Sequence, residues 1–163
     1  TEDTVYELVP SEDAYNINPI DDCSCYCDDY NPFTVCIQYA KKLYEDVATI
    51  KWNAKGDINK IECMCNEFYY NLRDQMDTLA LYSCEKYGYA PDMRSCTLDI
   101  PGLDVAEGFC LDCAKEIICH DVQEYLDCLN MMYCNLPHYL QGTIDCWIRD
   151  LKESLLRIDR MTM

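Results

Sequence analysis

The chain has 163 residues, 14 of them cysteine, and a formal net charge of −17. Half of its residues are hydrophobic, which excludes wholesale disorder, and no stretch approaches the ~20 apolar residues of a bilayer span. Nucleic acid and anionic membranes are excluded as expected partners, because both would repel so acidic a surface.

Residues 1–22 hold Glu2, Asp3, Glu7, Glu12, Asp13, Asp21 and Asp22, all ahead of the first basic residue, Lys41. With Pro10, Asn16, Asn18 and Pro19 and no cysteine, they read as an acidic, flexible tail. Thr1 to Pro10 lack the basic start and apolar run of a leader, so a mature chain whose leader has been removed is expected.

Residues 23–86 read as an N-terminal helical half. Cys36, Tyr39, Ala40, Leu43, Val47 and Ile50 follow the three-and-four spacing of one helix face. A break at Asn53 to Gly56 follows, and Asp57 is placed to cap a second helix. That helix carries Ile58, Ile61, Cys65, Phe68, Leu72, Met76 and Leu79 on one face and ends near Cys84. Gly88, Pro91, Pro101 and Gly102 mark residues 87–103 as a connector.

Residues 104–160 read as a C-terminal helical half. Asp104 with Glu107 suggests an Asp version of the capping box, starting a third helix with Ala106, Cys110, Cys113 and Ile117 on its inner side. Asp121 with Glu124 repeats the pattern for a fourth, bearing Val122, Tyr125, Leu126, Leu129 and Met132. Pro137 suits the start of a fifth, whose stripe is Ile144, Trp147, Ile148, Leu151, Leu155 and Ile158. No segment alternates in the manner of a strand. The expected class is therefore all-α: a disulfide-rich bundle of about five helices, as one compact unit or two stacked halves.

The cysteines are Cys23, Cys25, Cys27, Cys36, Cys63, Cys65, Cys84, Cys96, Cys110, Cys113, Cys119, Cys128, Cys134 and Cys146. An even, dense set spread along a chain of this size reads as a disulfide framework formed in an oxidising compartment, so a secreted protein is expected. Connectivity stays open. Cys36, Cys65, Cys110 and Cys113 fall on the predicted buried faces, and each closed loop can contribute about 2–4 kcal/mol. In Cys63-Met64-Cys65, helical positions two apart point about 200° away from each other, so one thiol faces inward and the other outward.

No catalytic centre is recognisable, and a non-enzymatic protein is expected. Cys110-Leu111-Asp112-Cys113 has the spacing of redox and zinc sites. A thioredoxin-like site needs a βαβ setting, however, and Cys119-His120 is the sole nearby source of further zinc ligands. The other histidine, His138, lies in no catalytic motif. The Cys-Cys-x-x-His-x-x-Cys helix of secreted calcium-dependent phospholipases is missing. Asp21, Asp22, Asp28 and Asp29 lack EF-hand spacing. No metal and no cofactor are expected.

Fourteen tyrosines against three phenylalanines supply rings with polar tips, which serve narrow cores and recognition surfaces alike. Tyr69, Tyr70, Tyr87 and Tyr89 are the candidates for a recognition surface.

Cys25-Tyr26-Cys27, its echo Cys63-Met64-Cys65 and the joint richness in Cys and Tyr resemble the bicycle family, secreted aphid salivary proteins named for paired Cys-Tyr-Cys motifs. The resemblance covers size and spaced-cysteine layout. It implies an effector delivered into plant tissue, in a setting of gall formation or host manipulation, with no enzymatic activity and no functional residues to carry over. The leading expectation is thus an effector that binds a host protein. The alternative is a carrier of a small apolar ligand, in a cavity lined by Met76, Met131, Met132 and Trp147.

Overall fold

A computed structural model describes residues 31–94, 102–134 and 136–161. The acidic segment 1–22 and Cys23, Cys25, Cys27 and Cys96 lie outside the described residues. Those that are described form four helices: α1 (Pro32–Trp52), α2 (Ile58–Tyr87), α3 (Leu111–Tyr133) and α4 (His138–Arg160). The class is all-α, and none of these helices is long and apolar enough to cross a membrane.

α1 starts at Asn31, whose Oδ1 accepts from the Phe33 and Thr34 N–H groups at 2.9 and 3.4 Å, with Pro32 at the first helical position. The Asn31 amide also donates to Ser83 Oγ at 2.9 Å, and that hydroxyl donates to the Tyr89 carbonyl at 2.6 Å. One buried side chain therefore caps α1 and fastens it to the far end of α2. Of the predicted stripe, Cys36, Ala40, Leu43, Val47 and Ile50 are fully buried and Tyr39 is half-buried, and Phe33, Val35 and Ile37 are buried as well. α1 buries more than one face because it packs against both α2 and α3.

α2 is 30 residues long, about 45 Å, and buries a single stripe: Ile61, Cys65, Phe68, Leu72, Leu79 and Ser83. Gly88 ends it in the left-handed region at φ 84°, where its N–H reaches the Cys84 carbonyl. Asp57 stands before α2 as expected but makes no side-chain capping bond.

The expected third and fourth helices are one. α3 runs unbroken through Asp121, because Ile118, Val122, Tyr125 and Leu129 keep one phase and remain buried. Asp121 is not a cap. It lies on the buried side of α3 and pairs with Lys42 of α1. Asp104 starts no helix either. Its Oδ1 accepts from the Ala106 N–H in a turn, and Gly108 follows at φ 73°. Phe109 then exchanges backbone hydrogen bonds with Asn53 and Lys55 at 2.9 and 2.8 Å. A Cβ on Gly108 would meet the Asn53 carbonyl at 3.0 Å, so this clip requires glycine. It sets the entry of α3 beside the α1–α2 turn.

The consequence for the cysteines is a rotation of the expected inner side. Ala114 and Ile118 face the core, while Cys113 is exposed and Cys110 half-buried. α4 follows Pro137 and packs on α3. Its buried stripe is Leu140, Ile144, Ile148, Leu151, Ser154 and Ile158, narrow enough to leave most of the helix in solvent. The buried residues of all four helices form one cluster.

Candidate recognition surface

The aromatic side chains sort themselves by burial. Tyr69 lies flat against Tyr44 of α1, with ring centroids 4.9 Å apart and planes 9° from parallel. Tyr70 meets Tyr69 edge-on at 6.2 Å and is 69 % exposed. Lys51 Nζ lies 5.3 Å from the Tyr69 ring centre and is held there by Asn66 Oδ1 at 2.8 Å. Three rings and a positioned ammonium thus make a rigid, amphipathic patch across α1 and α2. Trp52, the residue after Lys51, is exposed. Trp52 was not foreseen. Its place just past the last buried position of α1, Ile50, is the signal that could have found it.

Tyr87 sits at the end of α2, 17 positions and about 25 Å along the helix from Tyr70, and Tyr89 lies just beyond that end. The structure does not bring the two pairs together. Tyr87 packs edge-on against Phe33 at 6.2 Å, and burial pushes its phenol up to about 12, with Tyr89 adding to the shift. It is a packing residue. Tyr89 is 39 % exposed, but its carbonyl is committed to Ser83. Tyr139, on the first turn of α4, is as exposed as Tyr70.

Two of the hollows formed by the described residues bear on the candidate readings. One, of about 350 Å³, lies beside the tyrosine stack and is lined by Tyr44, Arg73, Met76, Ala80, Pro91 and Met93. The other is a groove of about 560 Å³ between α2 and α4, with Phe68, Leu72, Trp147 and Leu151 among its lining and Glu67, Asp74 and Asp150 at its edges. Met76 and Trp147 therefore line different hollows. Met132 is in the core and Met131 is exposed, so the four residues expected around a ligand are not gathered in one cavity.

No two of the ten described cysteines lie at disulfide-bonding distance. Cys65 is buried and Cys63 exposed, as two helical positions 200° apart require. Burial pushes the Cys65 thiol up to about 12, overcoming the nearby Lys51. Cys110 is the N-cap residue of α3, and its sulfur accepts from the Cys113 N–H at 3.5 Å. That backbone bond, together with one from the Cys113 side chain, lowers the Cys110 thiol below its ordinary value, while the side-chain bond to Cys110 and repulsion from it raise that of Cys113.

His120 Nδ1 stands 3.8 Å from both Asp121 Oδ1 and Glu124 Oε1, a grouping of metal-ligand type. The Lys42 ammonium already bridges those two carboxylates, at 3.2 Å to Asp121 and 2.6 Å to Glu124. A cation is thus built into the cluster from α1. Burial opposes the charge on Lys42, but its bonds to Glu124 and Asp121 hold its pKa above the usual value. Asp46, one turn along α1, is pushed up to about 8, first by burial and then by a hydrogen bond to and repulsion from Asp121. His138 opens α4 and is exposed.

No protein-family model matches the chain, and comparison with curated proteins finds no significant relative.

Proposed function

We propose that this is a secreted, disulfide-stabilised effector without enzymatic activity, which acts by binding a host protein through the Tyr44–Tyr69–Tyr70 surface. The observation that carries the reading is the ordered stack with Lys51 over it, on a chain of net charge −17. Rings held by neighbouring rings lose little freedom on binding, and Tyr with a positioned cation suits the centre of an interface. The fitting partner offers an apolar or aromatic anchor flanked by carboxylates. The resemblance to the bicycle family supplies the setting, delivery into plant tissue. The cysteine density supplies the compartment.

The test is position-specific photo-crosslinking in plant extract, with the reactive residue at position 70 or at the exposed position 156 of α4. A host protein captured from position 70 alone, and lost on Lys51→Glu, supports the reading. Equal capture from both positions, or none from position 70, overturns it. The second reading, a carrier of a small apolar ligand, draws support from Phe68, Leu72, Trp147 and Leu151 in the groove between α2 and α4. Organic extraction of the native protein that releases nothing counts against a carrier.

A further inference from the structure

We propose that Cys36 and Cys128 are joined as a disulfide that fixes α1 to α3. Cys36 is fully buried on α1 and Cys128 is 3 % exposed on α3. Their sulfurs lie 3.1 Å apart. That is closer than the ~3.5–4.0 Å optimum for two non-bonded carbon atoms, which are smaller than sulfur, and about 1 Å from the S–S bond length. The antiparallel run of α1 and α3 aims the two side chains at each other: Cys36 faces Cys128 while Lys42, further along α1, meets Glu124, earlier on α3. The third sulfur nearby, Met132 Sδ at 3.8 Å from Cys36, has no thiol to offer. Cys36 and Cys128 have no other described cysteine within hydrogen-bonding distance of their sulfurs. The pairing deepens the secreted reading and rests on it, since it needs an oxidising compartment.

The chemistry is thiol–disulfide exchange with an external disulfide as oxidant. One thiol loses its proton, and the thiolate attacks the external disulfide and expels one of its sulfurs as thiolate. The second thiolate then attacks the mixed disulfide and expels the other. Two cysteine thiols are oxidised to one S–S bond, and the external disulfide is reduced to two thiols. Within the folded core this is slow. A neighbouring thiol and burial hold Cys128 strongly protonated, and no oxidant reaches it. The bond therefore forms while α3 is still docking and is sealed in afterwards.

The test uses the full-length protein produced through an oxidising secretory route. It is denatured without reductant in the presence of an alkylating agent, digested, and mapped by mass spectrometry. The expected result is a peptide pair containing Cys36 and Cys128, lighter by two hydrogen atoms than the two thiol peptides, and split by reductant. Alkylation of both residues, or a bond from either to another cysteine, overturns the proposal. If these two are alkylated while other cysteines are bridged, the pairing fails and the secreted reading survives. If all cysteines are alkylated, both fall.

Discussion

Cysteines meet in opposite surroundings at the start of α3 and further along it. At its first turn, Cys110 and Cys113 lie half-buried and exposed, joined by a local backbone contact. About four turns on, Cys128 faces Cys36 across the core, 92 positions away in sequence. The residue type is the same in both places. Environment separates them, because the helix start favours a thiolate whereas the core forbids one. Along the same buried seam, Asp121 and Tyr125 are polar groups that need partners from α1 and α2, and each has one.

The largest difference should appear in stability. Cys128→Ala, which removes the proposed bridge, is expected to cost about 2–5 kcal/mol, whereas Cys113→Ser should change stability by no more than about 0.5 kcal/mol. Urea denaturation of both variants reads the contrast, and comparable losses would erase it. Next, Tyr125→Phe removes the hydroxyl that donates to Gln75 Oε1 at 2.8 Å in the core. It leaves that amide oxygen without a donor, at an expected cost of about 1–3 kcal/mol. An unchanged denaturation midpoint would show that the seam tolerates an unpaired polar atom.

A smaller effect belongs to Asp46. Its pKa is about 8 in the fold against 3.8 for the model group, so between these values the folded chain binds more protons than the unfolded one. The contribution of Asp46 is therefore greatest below pH ~4, falls as pH rises, and is gone above about 8. Asp46→Asn should flatten that slope while Lys42, Asp121 and Glu124 remain. An identical pH profile in the variant would rule out a shared proton. Smallest in energy is the reactivity of the exposed pair. After mild reduction at neutral pH, Cys110 should alkylate faster than Cys113, as read by mass spectrometry. Equal rates would mean that the helix start does nothing to the thiol.

The sequence discloses the helices more readily than their number. Apolar spacing locates α1, α2 and α4 to within a few residues, because in each the burial period persists over several turns. It fails between Asp104 and Asp121, where two acidic residues resemble caps. Capping signals are short and satisfied by any nearby donor. Asp104 uses one in a turn, and Asp121 uses Lys42, whose proximity follows from the docking of α1 on α3 and has no local trace. The site is legible in the same uneven way. Tyr70 is exposed as composition and position suggest. The Tyr44 stack and the Cys36–Cys128 contact, by contrast, depend on residues brought together across helices. The Asn31-Pro32 pair was a readable start signal for α1 that apolar periodicity alone passes over.

α3 and α4 hold each other by their ends. Lys115, early in α3, donates to the Met161 carbonyl past the end of α4 at 2.7 Å. Gln141, early in α4, donates to the Tyr133 carbonyl at the end of α3 at 3.2 Å. Two such ties on an antiparallel pair oppose axial sliding. Arg157 and Ser154 both bind Glu67 of α2, which gives the last turns of α4 an attachment to a second helix. Hydrogen exchange should then be faster in the first turns of α4 than in its last. Arg157→Ala should release that attachment and spread the exchange along the whole helix.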